Sequence, residues 1–256
     1  MIHTGPNSKI EYTEKVKAKI NRKQLFIVLS FVFPFFIYGL FHFDLVSSNT
    51  DSNIPPEISH SVAEVWVFDE NNNSLGHGSG FLVSPNLLFT NRHVIDGANS
   101  FVVSFKEHPT LSNLEFKAKL IYTPDEKNFS LDYAVLSIDR NEELVPLEFE
   151  QDIESKNGDL IYAYGYPSIG GVQSAFSLTK GIISNLDIDP ALMLIDCDIY
   201  SGNSGGPTIN ENGKVIGINT SGFEGEWLGQ NFSLKIDHIL NDQAIQSFDW
   251  SGENVD

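Results

Sequence analysis

Ser201-Gly202-Asn203-Ser204-Gly205-Gly206-Pro207 is the stretch of this 256-residue chain that decides its fold. Glycine lets a backbone turn tightly, so the glycines around Ser204 can expose its hydroxyl beside backbone N–H groups. A nucleophilic serine needs this geometry, because those N–H groups must point at the oxyanion that develops during attack. An ordinary turn can have the same composition, so the interpretation depends on residues elsewhere in the chain.

Two other segments contain residues that could act with this serine. His93 follows an apolar strand at 87–89, in the string Thr90-Asn91-Arg92-His93-Val94. Asp132 opens a strongly apolar strand at 133–138. A lone histidine is usually structural, but a carboxylate at the start of a buried strand is costly unless it has a partner. The pattern therefore favours a His93–Asp132 pair.

These three segments together resemble the chymotrypsin-like (trypsin-like) serine peptidases, and most closely the HtrA/Deg protease domain without a PDZ domain. The order His, Asp, Ser is the order of that family, and the resemblance covers about residues 59–245. Further shared motifs are Gly78-Ser79-Gly80-Phe81, Gly158-Asp159, Gly165-Tyr166-Pro167, Thr179-Lys180-Gly181-Ile182-Ile183-Ser184 and Val215-Ile216-Gly217-Ile218-Asn219.

The resemblance implies an all-β fold of two six-stranded antiparallel barrels with a C-terminal helix, and an active site in the cleft between the barrels. It also implies a serine endopeptidase that forms an acyl-enzyme, with His93, Asp132 and Ser204 as its catalytic triad. The backbone N–H groups of Gly202 and Ser204 would form the oxyanion hole. This chemistry needs no metal and no organic cofactor.

Substrate-binding residues follow from the same resemblance. Asp198 lies six residues before the nucleophile, where an acid would favour basic P1 side chains, but the Deg pattern makes Asp196 a structural acid and leaves Asp198 free to face solvent. The other expected contacts are the strand Thr220, Ser221 and Gly222, which would pair with substrate backbone, and Asn231 in the pocket wall. Cys197 is interpreted as a small buried filler.

The chain departs from the wider family in two places. Asn203 stands where digestive enzymes have an aspartate that pairs with a newly cut N-terminus, so activation by such a cut is not expected. Only 52 residues follow Ser204 (256 − 204), and the expected strands and helix use most of them. We therefore expect no PDZ domain.

Composition excludes several classes of protein. The single cysteine allows no intramolecular disulfide, so the chain is not a disulfide-stapled secreted protease. The 16 basic and 34 acidic residues give a formal net charge of −18. Residues 1–24 carry six bases and two acids, a net of +4, which leaves −22 for the remainder. Such an acidic surface repels nucleic acid.

The N-terminal region predicts a membrane anchor. Residues 25–43 contain no acidic or basic side chain other than His42, and a helix of that length spans about 29 Å. The preceding basic residues predict a cytoplasmic N-terminus and an extracytoplasmic (periplasmic or extracellular) protease domain. A signal peptide cleaved near Val46-Ser47-Ser48 is the alternative, and the protein would then be secreted.

The pattern of strands and turns is consistent with this organisation. Short apolar strands are predicted at 61–68, 78–83, 101–105, 133–138, 160–165, 214–219 and 230–236, and a helical pattern only near the end, from Ile236 to Ala244. Hairpin turns are predicted at 71–73 and 210–213. The expected domains are a basic cytoplasmic tail (1–24), a transmembrane anchor (25–43), a linker (44–58), a trypsin-like protease domain (59–246) and an acidic tail (247–256).

Two other functions compete with an active endopeptidase acting on extracytoplasmic proteins or peptides. One is a catalytically inactive binding or scaffold protein with a protease fold, held at the membrane. The other is a membrane sensor that signals through residues 1–24, which form a tail too short for a domain. Trimers are common among Deg proteases, so a homo-oligomer is expected from the resemblance alone.

Overall fold

The computed structural model describes residues 54–125, 129–150, 154–168, 174–220, 230–248 and 250. The predicted anchor at 25–43, the predicted substrate residues Ser221 and Gly222, and most of the acidic tail lie outside these residues. In the part of the chain that is described, no helix has the length and apolar character needed to cross a membrane.

The first half of the described chain forms a closed six-stranded antiparallel barrel, in the order β1-β2-β3-β6-β5-β4. Closure pairs every strand on both sides, so the barrel has no exposed edge. Its strands are β1 Val62–Phe68, β2 Ser74–Ser84, β3 Leu87–Thr90, β4 Ser100–Ser104, β5 Phe116–Tyr122 and β6 Ala134–Ser137.

The second half forms another closed six-stranded antiparallel barrel, in the order β10-β11-β12-β9-β8-β7. The predicted pair of six-stranded antiparallel barrels is thus confirmed. The strands of the second barrel are β7 Leu160–Gly165, β8 Ser177–Asn185, β9 Leu192–Ile195, β10 Pro207–Asn210, β11 Val215–Thr220 and β12 Asn231–Lys235.

The largest apolar cluster joins the two barrels. It contains Phe81 and Phe89 from the first barrel together with Tyr164 and Ile218 from the second, all of them buried. Each large side chain in such a cluster contributes about 1.5–3 kcal/mol on burial, so the interface between the barrels is a genuine core. Each barrel also has a smaller core of its own.

Both predicted hairpin turns are present. Asn72, between β1 and β2, has a φ of +63°, and Gly213, between β10 and β11, has a φ of +77°. Asn and Gly tolerate this left-handed conformation better than other residues, which explains their positions in the two turns.

The C-terminal helical region differs from the single helix that the pattern predicts. It contains two short helices, α2 Ile236–Leu240 and α3 Gln243–Gln246. The break occurs at Asp242, whose extended backbone (φ −64°, ψ 129°) and side chain cap α3 through the N–H of Ala244. An N-cap residue of this kind begins a new helix rather than continuing the old one.

Asp242 also attaches the C-terminal region to the first barrel, because its second carboxylate oxygen accepts a hydrogen bond from the Tyr133 hydroxyl. Burial, and then this bond, raise the pKa of Tyr133. Desolvation raises the pKa of Asp242, but hydrogen bonds from Tyr133, from the Ala244 N–H and from Tyr122 bring it below its usual value.

Both expected boundaries of the protease domain have packed residues beyond them. A 3₁₀ helix at Pro56–Ser61 places Ile58 in the core, and Ile54 is also buried. At the other end, Phe248 and Trp250 pack against the same core. The packed domain therefore includes the last residues of the expected linker and the first of the expected tail.

Candidate active site

His93 and Asp132 are brought together by the pairing of two strands. Thr90, at the end of β3, lies opposite Ala134, at the start of β6. His93 belongs to helix α1, Arg92–Ile95, which follows β3, and Asp132 immediately precedes β6. Because antiparallel strands place the end of one beside the start of the next, both residues lie at the same rim of the first barrel.

The carboxylate of Asp132 holds His93 at two points. The ring Nδ1 of His93 donates to Asp132 Oδ2 at 2.7 Å, and the His93 backbone N–H donates to Oδ1 at 2.9 Å. Because a carboxylate accepts hydrogen bonds, the proton of a neutral His93 ring belongs on Nδ1. Nε2 is then the nitrogen that can accept a proton.

Asp132 is buried, with 5% of its surface exposed, and the second barrel supplies a further donor. The hydroxyl of Thr220, at the end of β11, donates to Asp132 Oδ2 at 3.0 Å. With the two bonds from His93, the carboxylate accepts three hydrogen bonds, which offset the cost of removing it from water. The predicted substrate residue Thr220 therefore directs its side chain at Asp132.

Ser204 lies in a tightly wound loop before β10. The N–H of Asn203 donates to Tyr200 O at 2.9 Å, and the N–H of Gly206 donates to Asn203 O at 3.0 Å. Gly202 has a φ of +100°, and a Cβ there would lie 2.5 Å from a backbone carbonyl oxygen. Only glycine fits that position, which explains one of the glycines that mark the sequence.

A cleft of about 570 Å³ contains the predicted residues from both barrels. The His93 ring, with 43% of its side chain exposed, lines this cleft together with Gly202 and Ser204. The structure therefore brings together the predicted base, the predicted nucleophile and one predicted oxyanion donor at one surface. Asp132 lies behind the His93 ring.

The predicted specificity residues are placed less directly. The Asp198 side chain is exposed, and its backbone carbonyl accepts a hydrogen bond from the Thr179 hydroxyl. Asn231 donates from its side-chain amide to Cys197 O at 2.7 Å, so its side chain positions backbone. Asp196 Oδ1 accepts from the N–H of Ile182, as a structural acid would.

The thiol of Cys197 has no features of a nucleophile. It is fully buried, and desolvation, followed by the charge of Asp196, raises its pKa to about 12. A thiol that stays protonated is a poor nucleophile, in agreement with its interpretation as a core filler.

Two residues of β2 that sequence reasoning did not single out also contact the site. His77 lines the cleft, and its ring contacts that of Trp66 in a tilted arrangement with centroids 4.9 Å apart. Its Nε2 donates to Tyr166 O at 3.1 Å. Ser79 donates from its backbone N–H to Ser204 O at 2.8 Å. The string Gly78-Ser79-Gly80 was the available signal for both, because its glycines permit close approach of another backbone.

Comparisons with known proteins agree with this geometry. Residues 78–218 match the family model described as Trypsin-like peptidase domain. A "Probable periplasmic serine endoprotease DegP-like" of Rickettsia prowazekii (strain Madrid E) is 37% identical over 173 residues, which cover 63% of this chain and 31% of the relative. A protein of the same description from Pseudomonas savastanoi pv. phaseolicola (strain 1448A / Race 6) is 36% identical over 173 residues, covering 64% and 33%.

A relative that is named as a mitochondrial protease is also similar to this chain. "Putative protease Do-like 12, mitochondrial" of Arabidopsis thaliana is 35% identical over 153 residues, which cover 55% of this chain and 28% of the relative. The chain thus spans about a third of the length of the curated relatives that it matches.

Proposed function

Because this chain belongs to the family of trypsin-like peptidase domains, and among them to the HtrA/Deg type, we propose that it is a serine endopeptidase that hydrolyses peptide bonds of proteins. The observation that carries the proposal is the doubly hydrogen-bonded His93–Asp132 pair, whose ring lines the same cleft as Ser204. An imidazole held in one tautomer beside a serine is the arrangement that activates a hydroxyl for acyl transfer.

The proposed reaction proceeds in two halves. Ser204 Oγ attacks the scissile carbonyl while His93 Nε2 takes its proton, and the resulting tetrahedral intermediate collapses as His93 returns that proton to the leaving amine. Water then attacks the acyl-enzyme, again with His93 as the base, and releases the carboxylate product and free Ser204. Asp132 keeps the ring in its tautomer and stabilises the imidazolium that forms in each half.

The oxyanion of each tetrahedral intermediate would be bound by the backbone N–H groups of Gly202 and Ser204. In comparable sites one such donor contributes about 3 kcal/mol to the transition state. The tight turns on both sides of Asn203 support this role, because they hold the loop in one conformation before substrate arrives.

The substrate would be held mainly by the second barrel. We propose that Thr220, Ser221 and Gly222 pair with the backbone on the acyl side, and that Asp198 and Asn231 contribute to the pocket for the P1 side chain. The hydrogen bond of Asn231 to Cys197 O supports a role in shaping the backbone there. A cleavage profile over a peptide library tests the acid: cleavage after Lys or Arg that Asp198→Ala removes supports it, and an unchanged profile contradicts it.

We further propose that the protease acts outside the cytoplasm, held there by residues 25–43. The names of the bacterial relatives, which describe periplasmic endoproteases, support this location. N-terminal sequencing of the protein from membranes tests the anchor, which requires residues 1–43 to be retained. A mature N-terminus just after Ser48 would instead support a cleaved signal peptide.

The central experiment is labelling of the full chain with a fluorophosphonate, which reacts covalently with activated serines. We expect rapid labelling of the wild type and none of Ser204→Ala. Ser84→Ala, which removes a buried hydroxyl from β2 that bonds Asn86 at 3.0 Å, is the matched control and should label normally. Equal labelling of wild type and Ser204→Ala, or no labelling of folded wild type, would favour the inactive scaffold.

A further inference from the structure

Ser79 of β2 is fully buried, and all of its polar groups are engaged around the active site. Its hydroxyl donates to Gly202 O at 2.7 Å and accepts from the Tyr166 N–H at 2.9 Å. Its N–H donates to Ser204 O at 2.8 Å, and its carbonyl accepts from the Thr90 hydroxyl at 2.7 Å. One residue of the first barrel is therefore bonded to the loop of the second barrel at two carbonyls.

The contact at Gly202 has the largest consequence for the site. Gly202 has no side chain to restrict it, and at a φ of +100° its backbone can reorient at little steric cost. Rotation of the peptide planes around Gly202 would turn the N–H groups of the loop away from the cleft. The Gly202 carbonyl shares its peptide plane with the Asn203 N–H, and this plane lies between the two planes that carry the Gly202 and Ser204 N–H groups. A hydrogen bond that fixes it therefore restricts the rotation of its two neighbours.

The segment after β7 strengthens the attachment. The N–H of Ser168 donates to Ser201 O at 2.8 Å, and His77 Nε2 donates to Tyr166 O at 3.1 Å. Ser79 thus bridges two backbone segments that already contact each other. We call the bridge formed by Ser79, Tyr166 and Gly202 the Ser79 clamp.

The side-chain oxygen of Asn203 does not provide an equivalent hold. Asn203 is 1% exposed, and among the described residues its Oδ1 has no hydrogen-bond partner. An amide at this position carries no charge for an ion pair. The loop is therefore held by neutral hydrogen bonds, of which those from Ser79 come from the other barrel.

We propose that Ser79 is a positioning residue. Its hydroxyl holds the loop at 201–206, which contains Gly202 and Ser204, in its active conformation. The inference rests on the proposed peptidase function, and it assigns to β2 a role in transition-state binding that does not involve contact with substrate. Misalignment of an oxyanion donor lowers the rate of the chemical step more than the binding of substrate, since the donor acts on the developing charge.

The test compares Ser79→Ala, Ser79→Cys and the control Ser84→Ala in the full chain, with a fluorogenic peptide substrate. We expect Ser79→Ala to lower kcat by about 10- to 100-fold and to change KM less than threefold, because small misplacements of catalytic groups have effects of that size. Binding of a peptide boronate, which mimics the tetrahedral intermediate, should weaken by the same factor. Ser79→Cys, with a weaker donor in the same place, should give an intermediate kcat.

A purely structural role makes a different prediction. Ser79→Ala and Ser84→Ala would then lose similar thermal stability and keep similar kcat and boronate affinity, and that result would overturn the proposal. An effect on KM alone would also contradict it, since it would indicate a contact with substrate.

Amide hydrogen exchange tests the clamp independently of turnover. Exchange in the peptide covering 200–206 should be at least about 10-fold faster in Ser79→Ala than in Ser84→Ala, since loss of the anchor permits local opening. If wild type neither hydrolyses the peptide nor labels, the proposed function fails, and exchange alone decides the clamp. Equal exchange in the two variants would contradict it in either case.

Discussion

Replacement of Thr220 by valine tests how the second barrel supports the His93–Asp132 pair. Thr220 is 2% exposed, and its hydroxyl shares Asp132 Oδ2 with the His93 ring. Valine has nearly the same shape and lacks the hydroxyl, so Thr220→Val removes one of the three hydrogen bonds to the carboxylate and opens no cavity of consequence.

The magnitude follows from the charge and burial of the acceptor. A hydrogen bond to a charged group contributes about 1.5–3 kcal/mol, and water cannot replace it at a buried carboxylate. For a domain of this size, 1 kcal/mol shifts Tm by about 2–4 °C, so we expect Tm to fall by about 3–12 °C. About half of the lost energy, about 0.75–1.5 kcal/mol, should also be lost from the imidazolium-bearing transition state, which corresponds to a kcat about 3- to 12-fold lower.

Steady-state hydrolysis of a fluorogenic peptide and thermal unfolding give the two measurements. Thr220→Ser restores the hydroxyl and should recover kcat to within about threefold, since a donor returns to the same oxygen. Asp132→Asn should lower kcat far more, by about 10⁴ as in comparable triads, because it also changes the tautomer of His93. Wild-type kcat and Tm in Thr220→Val would refute the reasoning.

Three further predictions concern the scaffold. Tyr133→Phe should lower the free energy of unfolding by about 1 kcal/mol at pH 7. Because the folded pKa of Asp242 lies below its unfolded value, urea melts should show this loss above about pH 4, and it should vanish as the pH falls through the folded pKa. Cys197 should resist a thiol reagent at pH 8 until the chain unfolds, because a pKa of about 12 leaves only about 10⁻⁴ of the thiol as thiolate. Rapid modification of the native chain would contradict its burial. Gly206→Ala should prevent accumulation of folded protein, since its Cβ would overlap a backbone oxygen. Gly97→Ala, at a φ of +77° with open space around it, should lower the free energy of unfolding by only about 1–2 kcal/mol. Equal yields and Tm values for the two variants would contradict this.

The strands that the sequence predicts contain buried apolar residues, but burial alone does not mark a strand, because β9 and β10 are not predicted although most of their residues are buried. Each predicted segment coincides with a strand of a barrel, for example 160–165 with β7, where five of the six residues are buried. β8 was not predicted as a strand, because only one of its nine residues is buried and Gly181 interrupts it. β5 is not predicted as a strand for a similar reason, since all seven of its residues are half-buried or exposed.

The candidate site also contains residues that the sequence indicates and contacts that it does not. His93, Asp132 and Ser204 are marked by the strings around them, because tight turns and strand ends have local sequence requirements. Ser79 also lies in a glycine-containing string, but nothing in that string indicates that its hydroxyl bonds Gly202, 123 residues away. Nor does the sequence indicate that the Thr220 hydroxyl faces Asp132, 88 residues away, because only closure and docking of the barrels bring them together.

The two long-range contacts run in opposite directions across the barrel interface. Ser79, from the first barrel, holds the loop of Ser204 in the second, whereas Thr220, from the second barrel, bonds Asp132 in the first. Each half of the proposed catalytic machinery is therefore completed by the barrel that does not contain it. Since packed apolar interfaces tolerate little sliding, the shared core fixes both contacts at once. Perturbing that core should lower kcat before either barrel unfolds, because hydrogen bonds depend on distance and angle more steeply than burial does.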